Sequence, residues 1–183
     1  QECLADLDSR TRSIADDNKP TALCAAATFR GGHGIAGVYA NNAVFATVNA
    51  KDVTVGYIDA QKGVEVDKEQ VLEWNPDLIV LDASNLGLVE NEYAEDPAFF
   101  ESLNAVKNGE LYQWPNSTSN YTNVEIPLVN AYYIGSVMFP EAFADVDFET
   151  KAEEIFRFFL GHDGYLSVLN NAGMGYGSVV LGK

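Results

Sequence analysis

Basic residues are scarce in this sequence. Among its 183 residues, 11 lysines and arginines stand against 27 aspartates and glutamates, so the formal net charge at pH 7 is −16. Nucleic acids and anionic lipid surfaces are held by clustered Lys and Arg, and we therefore expect no nucleic acid among the partners. The acidity alone names no ligand, because a solvated, self-repelling surface has the same composition.

The sequence also lacks a long hydrophobic run. Its longest nearly uncharged apolar stretch, Ile126–Phe139, has 14 residues, whereas a membrane-spanning helix needs about 20. We expect no direct membrane insertion of this segment. The content of 47% hydrophobic and 11% aromatic residues instead predicts a packed globule, either one domain or one lobe. The start at Gln1 without a signal-peptide pattern is what we expect of a processed or trimmed chain.

Cysteine and histidine are rare, and no catalytic set emerges from them. Cys3 and Cys24 lack metal-ligand spacing. Cys24 lies in an apolar run, which predicts a buried small residue, although a bridge to Cys3 stays open. The two histidines, His33 and His162, accompany no G-x-S-x-G elbow, no H-E-x-x-H helix and no P-loop lysine. We therefore expect a protein that is not an enzyme.

What the sequence does contain is an alternation of short apolar strands and helices. Thr21–Thr28 and Leu78–Leu81 have the profile of strands buried on both faces, and Glu110–Gln113 and Val53–Ile58 are further candidate strands. Helical spacing and caps predict helices over 43–49, from Asp67, from Asp96-Pro97, over Val124–Phe139 and after Asp147. This order predicts an α/β fold with a mainly parallel sheet flanked by helices.

Ligands of such sheets bind outside the carboxyl ends of the strands. This rule directs attention to the loops predicted at 29–42, 82–92 and 114–123. The first loop carries Arg30, His33 and Tyr39. Arg presents a planar fork to carboxylate or phosphate, and His and Tyr can both ligate a metal ion. We expect at least one of the three to contact a ligand; the alternative is a loop of tight turns with a solvated histidine.

A dinucleotide fingerprint is the main alternative for the same loop. Gly32, Gly34 and Gly37 fit G-x-G-x-x-G after a predicted strand, with Asp59 about 20 residues further on. Such glycines should leave the strand directly and open the helix that holds the pyrophosphate. Here extra residues separate them from both elements, which weakens the interpretation as an NAD-binding Rossmann-type enzyme domain. A third hypothesis is a lobe that docks a permease or sensor without binding any ligand.

Four segments carry a resemblance to a known family. Val66–Asn85, Phe99–Asn116, Asn123–Gly161 and the loop Phe29–Gly34 resemble the corresponding parts of solute-binding proteins of ABC importers for iron–siderophore complexes, cobalamin and haem. The two middle segments are the specific part, and one of them contains the Leu-x-Ala-Val-Lys-Asn-Gly piece at 103–109. The similarity covers about Pro20 to Gly161, whereas the Gly-rich tail after it departs from the family pattern.

The resemblance implies two α/β lobes joined by one long helix, with the ligand held between them. Residues 1–18 would then be the end of the linking helix, and residues 19–183 a three-layer Rossmann-like C-terminal ligand-binding lobe, with the N-terminal lobe absent from this chain. No catalysis and no resident cofactor are implied. The implied location is extracytoplasmic, either periplasmic or anchored at the cell surface through a segment outside this chain.

The implied partners are an iron–siderophore, cobalamin or haem-type ligand and an ABC permease. Any metal ligands of the protein itself stay unassigned. The candidate residues for ligand binding are Arg30, His33, Tyr39, Ser84, Asn85 and Tyr121. The candidates for permease docking are Glu125 and Glu141.

Overall fold

A single seven-stranded sheet forms the centre of the fold. The computed structural model describes residues 1–59, 61–116 and 123–183. The strand order is β4-β2-β1-β5-β6-β7, and β3 also pairs with β1. The strands are β1 (Thr21–Ala25), β2 (Gly37–Ala40), β3 (Lys51–Asp52), β4 (Lys62–Glu65), β5 (Leu78–Asp82), β6 (Leu111–Trp114) and β7 (Gly177–Ser178).

The middle of the sheet is parallel and its margins are antiparallel. β1 runs parallel to β3 and β5, and β5 runs parallel to β6. β2 returns antiparallel to β1, β4 pairs antiparallel with β2, and β7 pairs antiparallel with β6. The predicted α/β fold with a parallel sheet is therefore confirmed, with added antiparallel strands that the sequence did not indicate.

Helices cover both faces of the sheet. None of them, within the described ranges, is long and apolar enough to cross a membrane. They are α1 (Glu2–Thr11), α2 (Ala43–Thr47), α3 (Lys68–Trp74), α4 (Leu86–Glu95), α5 (Pro97–Ser102), α6 (Asn104–Lys107), α7 (Glu125–Met138), α8 (Phe148–Leu160) and α9 (Tyr165–Asn171).

Side chains of the two central strands alternate between two cores. Leu23 pairs with Ile79, and Cys24 pairs with Val80 in the next register position. Since successive strand side chains point to opposite faces, the first pair packs with the α4–α6 side and the second with the α7–α8 side. The residues include Phe99, Phe100 and Leu103 in one core and Tyr132, Ile134 and Phe156 in the other. This two-sided burial explains why both strands are continuous apolar runs in the sequence.

Several helix ends match the signals in the sequence. Asp147 accepts a hydrogen bond from the Thr150 backbone N–H at 2.9 Å and begins α8. Gly161 ends that helix in the left-handed conformation, with φ of 76°, which glycine adopts at little cost. Asp96 likewise caps α5, which has Pro97 in its first turn. Asp67 stands at the N-cap of α3, but its side chain makes no capping bond.

Two expectations about secondary-structure elements were wrong. Val53–Ile58 is not a strand, because the Asp52 carboxylate accepts hydrogen bonds from both the N–H and the hydroxyl of Thr54 and so favours a turn over a ladder. Residues 86–95 form α4 in place of most of the predicted loop 82–92. The prediction that Cys24 is buried is confirmed; Cys24 and Cys3 are both free, so the alternative of a bridge between them does not hold. Burial raises the pKa of the Cys24 thiol.

Candidate functional site

The carboxyl ends of β1, β5 and β6 meet at one edge of the sheet. Three short segments leave the strands there: 26–32 after β1, 83–85 after β5 and 115–116 after β6. We call these segments, with the last residues of the three strands, the strand-end edge. In open α/β sheets this is the edge at which ligands bind.

A tight turn after β1 carries Arg30 at its tip. Thr28 and Gly32 form an isolated antiparallel bridge, and the Phe29 N–H donates to the Gly31 carbonyl at 3.0 Å. Arg30 has a φ of 52° and Gly31 a φ of 132°. We call Thr28–Gly32 the Arg30 turn. The Arg30 side chain is exposed and has no ion pair or hydrogen bond with the described residues.

A hydrogen-bond network lies directly beneath this turn. The Thr28 hydroxyl donates to Asp82 Oδ2 at 2.6 Å, and the Ser84 N–H and hydroxyl donate to Asp82 Oδ1 at 2.9 and 2.5 Å. Asn85 Nδ2 donates to the Ala26 carbonyl at 2.7 Å and to the Thr28 hydroxyl oxygen at 2.8 Å. The network therefore joins the loop after β1 to the end of β5.

The structure brings predicted ligand residues Ser84 and Asn85 to the edge with Arg30, yet both are engaged in the network. Asn85 is 8% exposed and uses both amide protons internally. Ser84 is exposed, but its hydroxyl proton is given to Asp82. Their contact with a ligand stays a prediction. Asp82 and Thr28 were missed, and the one signal was an acidic residue directly after the LIVL strand.

His33 packs within its own loop. Its ring stacks on Phe29 with 3.9 Å between centroids, and Nε2 lies 2.9 Å from the Phe29 carbonyl oxygen. Nδ1 lies 4.0 Å from a carboxylate oxygen of Glu65 on β4. Tyr39 pairs with Gly63, and a Cβ at Gly63 would meet the Phe29 ring. Tyr39 and the Phe29–His33 stack thus share one sheet face, and Tyr39 is 37% exposed there.

The three glycines of the dinucleotide pattern serve close packing instead. A Cβ at Gly32 would clash with Asn85, one at Gly34 would clash with the Glu92 carboxyl, and one at Gly37 would clash with His33. Gly37 opens strand β2 rather than a helix, so no helix N-terminus follows the glycines to hold a pyrophosphate. The described residues therefore lack the strand–glycine–helix arrangement that NAD binding through Gly32, Gly34, Gly37 and Asp59 would need.

Glu92 on α4 holds the far side of the same loop. Its Oε2 accepts the Ile35 backbone N–H at 2.8 Å, and Ile35 itself is 1% exposed. The Gly-rich loop is consequently fastened at Thr28 by β5 and at Ile35 by α4. Glu92 was missed because the sequence predicts a loop where this helix lies.

Comparison with known proteins identifies this architecture. No family model matches the sequence, and a search of curated proteins also gives no match. Among solved structures, an ABC transporter solute-binding protein from Sulfurospirillum deleyianum matches with a TM-score of 0.72 and 18% identity, covering 93% of this chain and 52% of that one. The TroA-like periplasmic binding protein FepB from Veillonella parvula matches with a TM-score of 0.63 and 20% identity, covering 89% and 51%.

A third similar structure is MolA, the molybdate periplasmic binding protein of a Haemophilus influenzae ABC transporter, bound to molybdate. It matches with a TM-score of 0.67 and 17% identity, covering 89% of this chain and 48% of that one. This chain has the fold of one lobe of an ABC-transporter solute-binding protein. It spans about half the length of the structures it matches.

At the third segment of the strand-end edge, Trp114 is the last residue of β6 and is 4% exposed. The carbonyl oxygen of the next residue, Pro115, accepts from Asn130 Nδ2 at 3.0 Å, and Asn130 Oδ1 accepts from the Tyr176 hydroxyl at 2.8 Å. Burial raises the pKa of Tyr176. Tyr121, the remaining predicted ligand residue, lies outside the described residues.

The two predicted docking carboxylates lie at opposite ends of α7. Glu125 is half-buried in the first turn, and Glu141 is exposed just beyond the last one. Because α7 has 14 residues at 1.5 Å each, they stand roughly 20 Å apart along the helix axis. They cannot form a single docking point on the lobe. Across the described ranges, no group of three or more His, Cys, Asp or Glu side chains is placed to hold a metal ion.

Proposed function

We propose that this chain is the ligand-binding lobe of an ABC-importer solute-binding protein and that it binds a metal chelate that carries anionic groups. An iron–siderophore complex is the first candidate, with haem and cobalamin as the other members of the class. The proposal includes an extracytoplasmic location, an ABC permease as partner, and docking through Glu125 or Glu141. It includes no catalysis, since transport energy would come from the partner ATPase and the lobe needs only differential binding.

The observation that carries the proposal is the exposed Arg30 guanidinium at the strand-end edge. The chain has four arginines, and the other three each pair with an aspartate: Arg10 with Asp145, Arg12 with Asp8 and Arg157 with Asp163. In a chain of net charge −16, acidic partners for an arginine are plentiful. Of the four arginines, Arg30 is the one that has no ion-pair or hydrogen-bond partner among the described residues. It lies at the strand-end edge, where a ligand is expected.

The chemistry of Arg30 fits an anionic chelate. A guanidinium binds carboxylates and other planar oxyanions through paired N–H donors, and it stacks on aromatic faces. Tyr39 and the Phe29–His33 stack offer aromatic surface on the neighbouring sheet face. A ligand that combines negative charge with flat rings would use both features. MolA, one of the similar structures, was solved with molybdate bound, which supports an anion as the kind of ligand.

We also propose that residues 1–18 end a linking helix and residues 19–183 form the C-terminal lobe. The attachment of α1 supports this division. Arg10 on α1 donates to the Asp145 carboxylate and the Ala142 carbonyl, and Asp6 accepts from the Tyr132 hydroxyl at 2.8 Å. A helix attached in this way would hold a preceding lobe in a fixed orientation relative to this one.

Intrinsic fluorescence tests the ligand class. Trp114 lies at the edge, and Trp74 lies on α3 beside Tyr57, at the opposite end of the sheet. In a Trp74→Phe background, ferric siderophores, haemin, cobalamin, molybdate and NAD are titrated in parallel. We expect saturable quenching by at least one chelate and none by NAD. The affinity should be weak, because one lobe supplies only one wall of a two-sided cleft.

Two variants assign the site. Arg30→Ala should reduce the affinity for the quenching chelate by about tenfold or more, the usual cost of losing a charge-assisted hydrogen bond. The matched control Arg12→Ala, which changes an exposed arginine directly after α1, should leave it unchanged. Equal loss in both variants would mean a non-specific charge effect, and silence of every chelate would contradict the proposed ligand class.

A further inference from the structure

Asp82 is a buried carboxylate held by hydrogen bonds. It is 3% exposed, and no Lys, Arg or His of the described residues lies within ion-pair distance. Burying a charge costs several kcal/mol unless hydrogen bonds replace the lost water. Here three donors replace it, two from Ser84 and one from Thr28.

The network is built on a charged acceptor at this position. Each Asp82 oxygen receives at least one proton, from the Thr28 hydroxyl on Oδ2 and from Ser84 on Oδ1. An asparagine could keep its oxygen on Ser84, but its NH₂ group would then face the Thr28 hydroxyl, which would have to accept rather than donate. The bond to Thr28 would lose its charged acceptor and reverse its direction, even though the two side chains have nearly the same shape.

Thr28 passes the constraint on to the Arg30 turn. Its hydroxyl donates to Asp82 and accepts from Asn85, and its backbone bridges to Gly32. Asn85 also donates a hydrogen bond to the Ala26 carbonyl, and Ala26 has a positive φ of 54°. Strained backbone of this kind persists only when surrounding contacts over-determine it; here Asn85 holds Ala26, and the Thr28 hydroxyl is held by Asn85 and Asp82 together.

We propose that Asp82 is a positioning residue: through Thr28 it fixes the backbone of the Arg30 turn, from which the Arg30 side chain projects. This role rests on the proposed function for its biological purpose, since a preset backbone leaves only the Arg30 side chain to be ordered when an anionic chelate binds. It concerns the ligand-free protein, however, and can be tested without any chelate.

Amide hydrogen exchange of the ligand-free chain tests the proposal. In Asp82→Asn we expect the amides of Phe29–Gly32 to exchange about tenfold faster or more, the effect of losing a hydrogen bond to a charged group. Asp77→Asn is the matched control. Asp77 Oδ2 accepts the N–H and hydroxyl of Thr21, each at 2.8 Å, at the opposite end of β1 and β5. That variant should loosen Thr21 and leave the Arg30 turn unchanged.

Thermal stability alone would not separate the two roles, because both variants remove a similar Asp–Thr contact and both should lower Tm. Unchanged exchange at Phe29–Gly32 in a folded Asp82→Asn protein would overturn the positioning role. Failure of the chelate titration would instead count against the proposed function and leave the exchange result standing.

Variants of Thr28 keep the test decisive if Asp82→Asn does not fold. Thr28→Val removes the hydroxyl at an exposed residue with little change of shape, and we expect the same tenfold acceleration in the turn. Thr28→Ser restores the donor and should restore slow exchange. If valine and serine behave alike, the Thr28–Asp82 bond does not fix the turn and the proposal is wrong.

Discussion

Arg30 holds a backbone conformation that glycine adopts more easily. The left-handed region costs a non-glycine residue roughly 1–2 kcal/mol, and Gly31 directly follows with its own positive φ of 132°. A sequence chosen only for stability would favour glycine at both positions. Under the proposed function, the strain is the cost of placing a guanidinium at the tip of the turn.

Arg30→Gly separates stability from binding at this residue. Relief of the backbone strain, about 1–2 kcal/mol, is offset by the added freedom of glycine in the unfolded chain, about 0.4–1 kcal/mol. We therefore expect the free energy of unfolding to stay equal or rise slightly, as measured by urea denaturation. Chelate affinity should fall as far as in Arg30→Ala, and wild-type affinity in a folded Arg30→Gly protein would remove Arg30 from the site.

The part of the candidate site that could be predicted from the sequence is the choice of polar residue types near the ends of strands. Arg30, His33, Ser84 and Asn85 were selected as polar side chains near strand ends, and the fold does place them at or beside that edge. The hydrogen bond between Thr28 and Asp82 joins residues 54 positions apart. Such a link depends on the pairing register of β1 with β5, which local sequence patterns do not encode.

At the scale of helices, two glycines occupy opposite environments. Gly135 lies inside α7, where a Cβ would clash with the Phe143 ring. Phe143 is 3% exposed and carries the Arg10 guanidinium over its face at 5.3 Å. Gly87 lies in α4, and a Cβ there would point into open space, with no described atom beyond its own helix backbone and chain neighbours within 4 Å. Replacing either glycine by alanine should therefore give the same gain in helix propensity, but only the replacement in α7 causes a steric clash.

Alanine at these two positions should have effects of opposite sign. Gly87→Ala should stabilise the protein by up to about 1 kcal/mol through helix propensity. Gly135→Ala has the same propensity gain, but overpacking against Phe143 costs about 1–3 kcal/mol, so we expect net destabilisation. Urea denaturation of both variants measures the difference. Stabilisation by Gly135→Ala would show that the Phe143 ring can move aside.

The elements that the sequence failed to predict are short or start abruptly. β2 has only four residues, begins at Gly37 and pairs with β1 at the single register position Ala25–Val38, so tertiary pairing rather than local propensity creates it. α4 follows β5 with only the short turn Ala83–Asn85 between them. The long helices α7 and α8, by contrast, were predicted within a few residues because periodicity determines them.

For the molecule as a whole, charge acts in two opposing ways. The net charge of −16 at pH 7 destabilises the compact state by self-repulsion. Specific pairs oppose it. Burial pushes the pKa of Asp6 upward, but hydrogen bonds from Arg10 and Tyr132 outweigh this and hold it below the ordinary 3.8. The hydrogen bond from Arg10 also lowers the pKa of Asp145.

The sign of the pH dependence follows from these lowered pKa values. A carboxylate whose pKa is lower in the folded state stabilises the protein above its ordinary value and loses that contribution as pH falls through the lowered one. The stabilisation from Asp6 and Asp145 is therefore complete at pH 7 and declines only below about pH 4. Repulsion, in contrast, is already small near the sequence pI of about 4.2.

Salt should therefore stabilise the chain at neutral pH and not near its pI. At pH 7 we expect about 0.5 M NaCl to raise Tm by roughly 2–4 °C, equivalent to about 1 kcal/mol for a domain of this size, because screening weakens long-range repulsion more than close, partly buried pairs. At a pH equal to the sequence pI of about 4.2, the same salt should leave Tm unchanged or lower it, since little net charge remains and only attractive pairs are screened. Calorimetry at both pH values, with KCl as a control for ion-specific effects, measures the two slopes. A Tm that falls with salt at pH 7 would mean that ion pairs such as Arg10–Asp145 outweigh the repulsion among the acidic side chains.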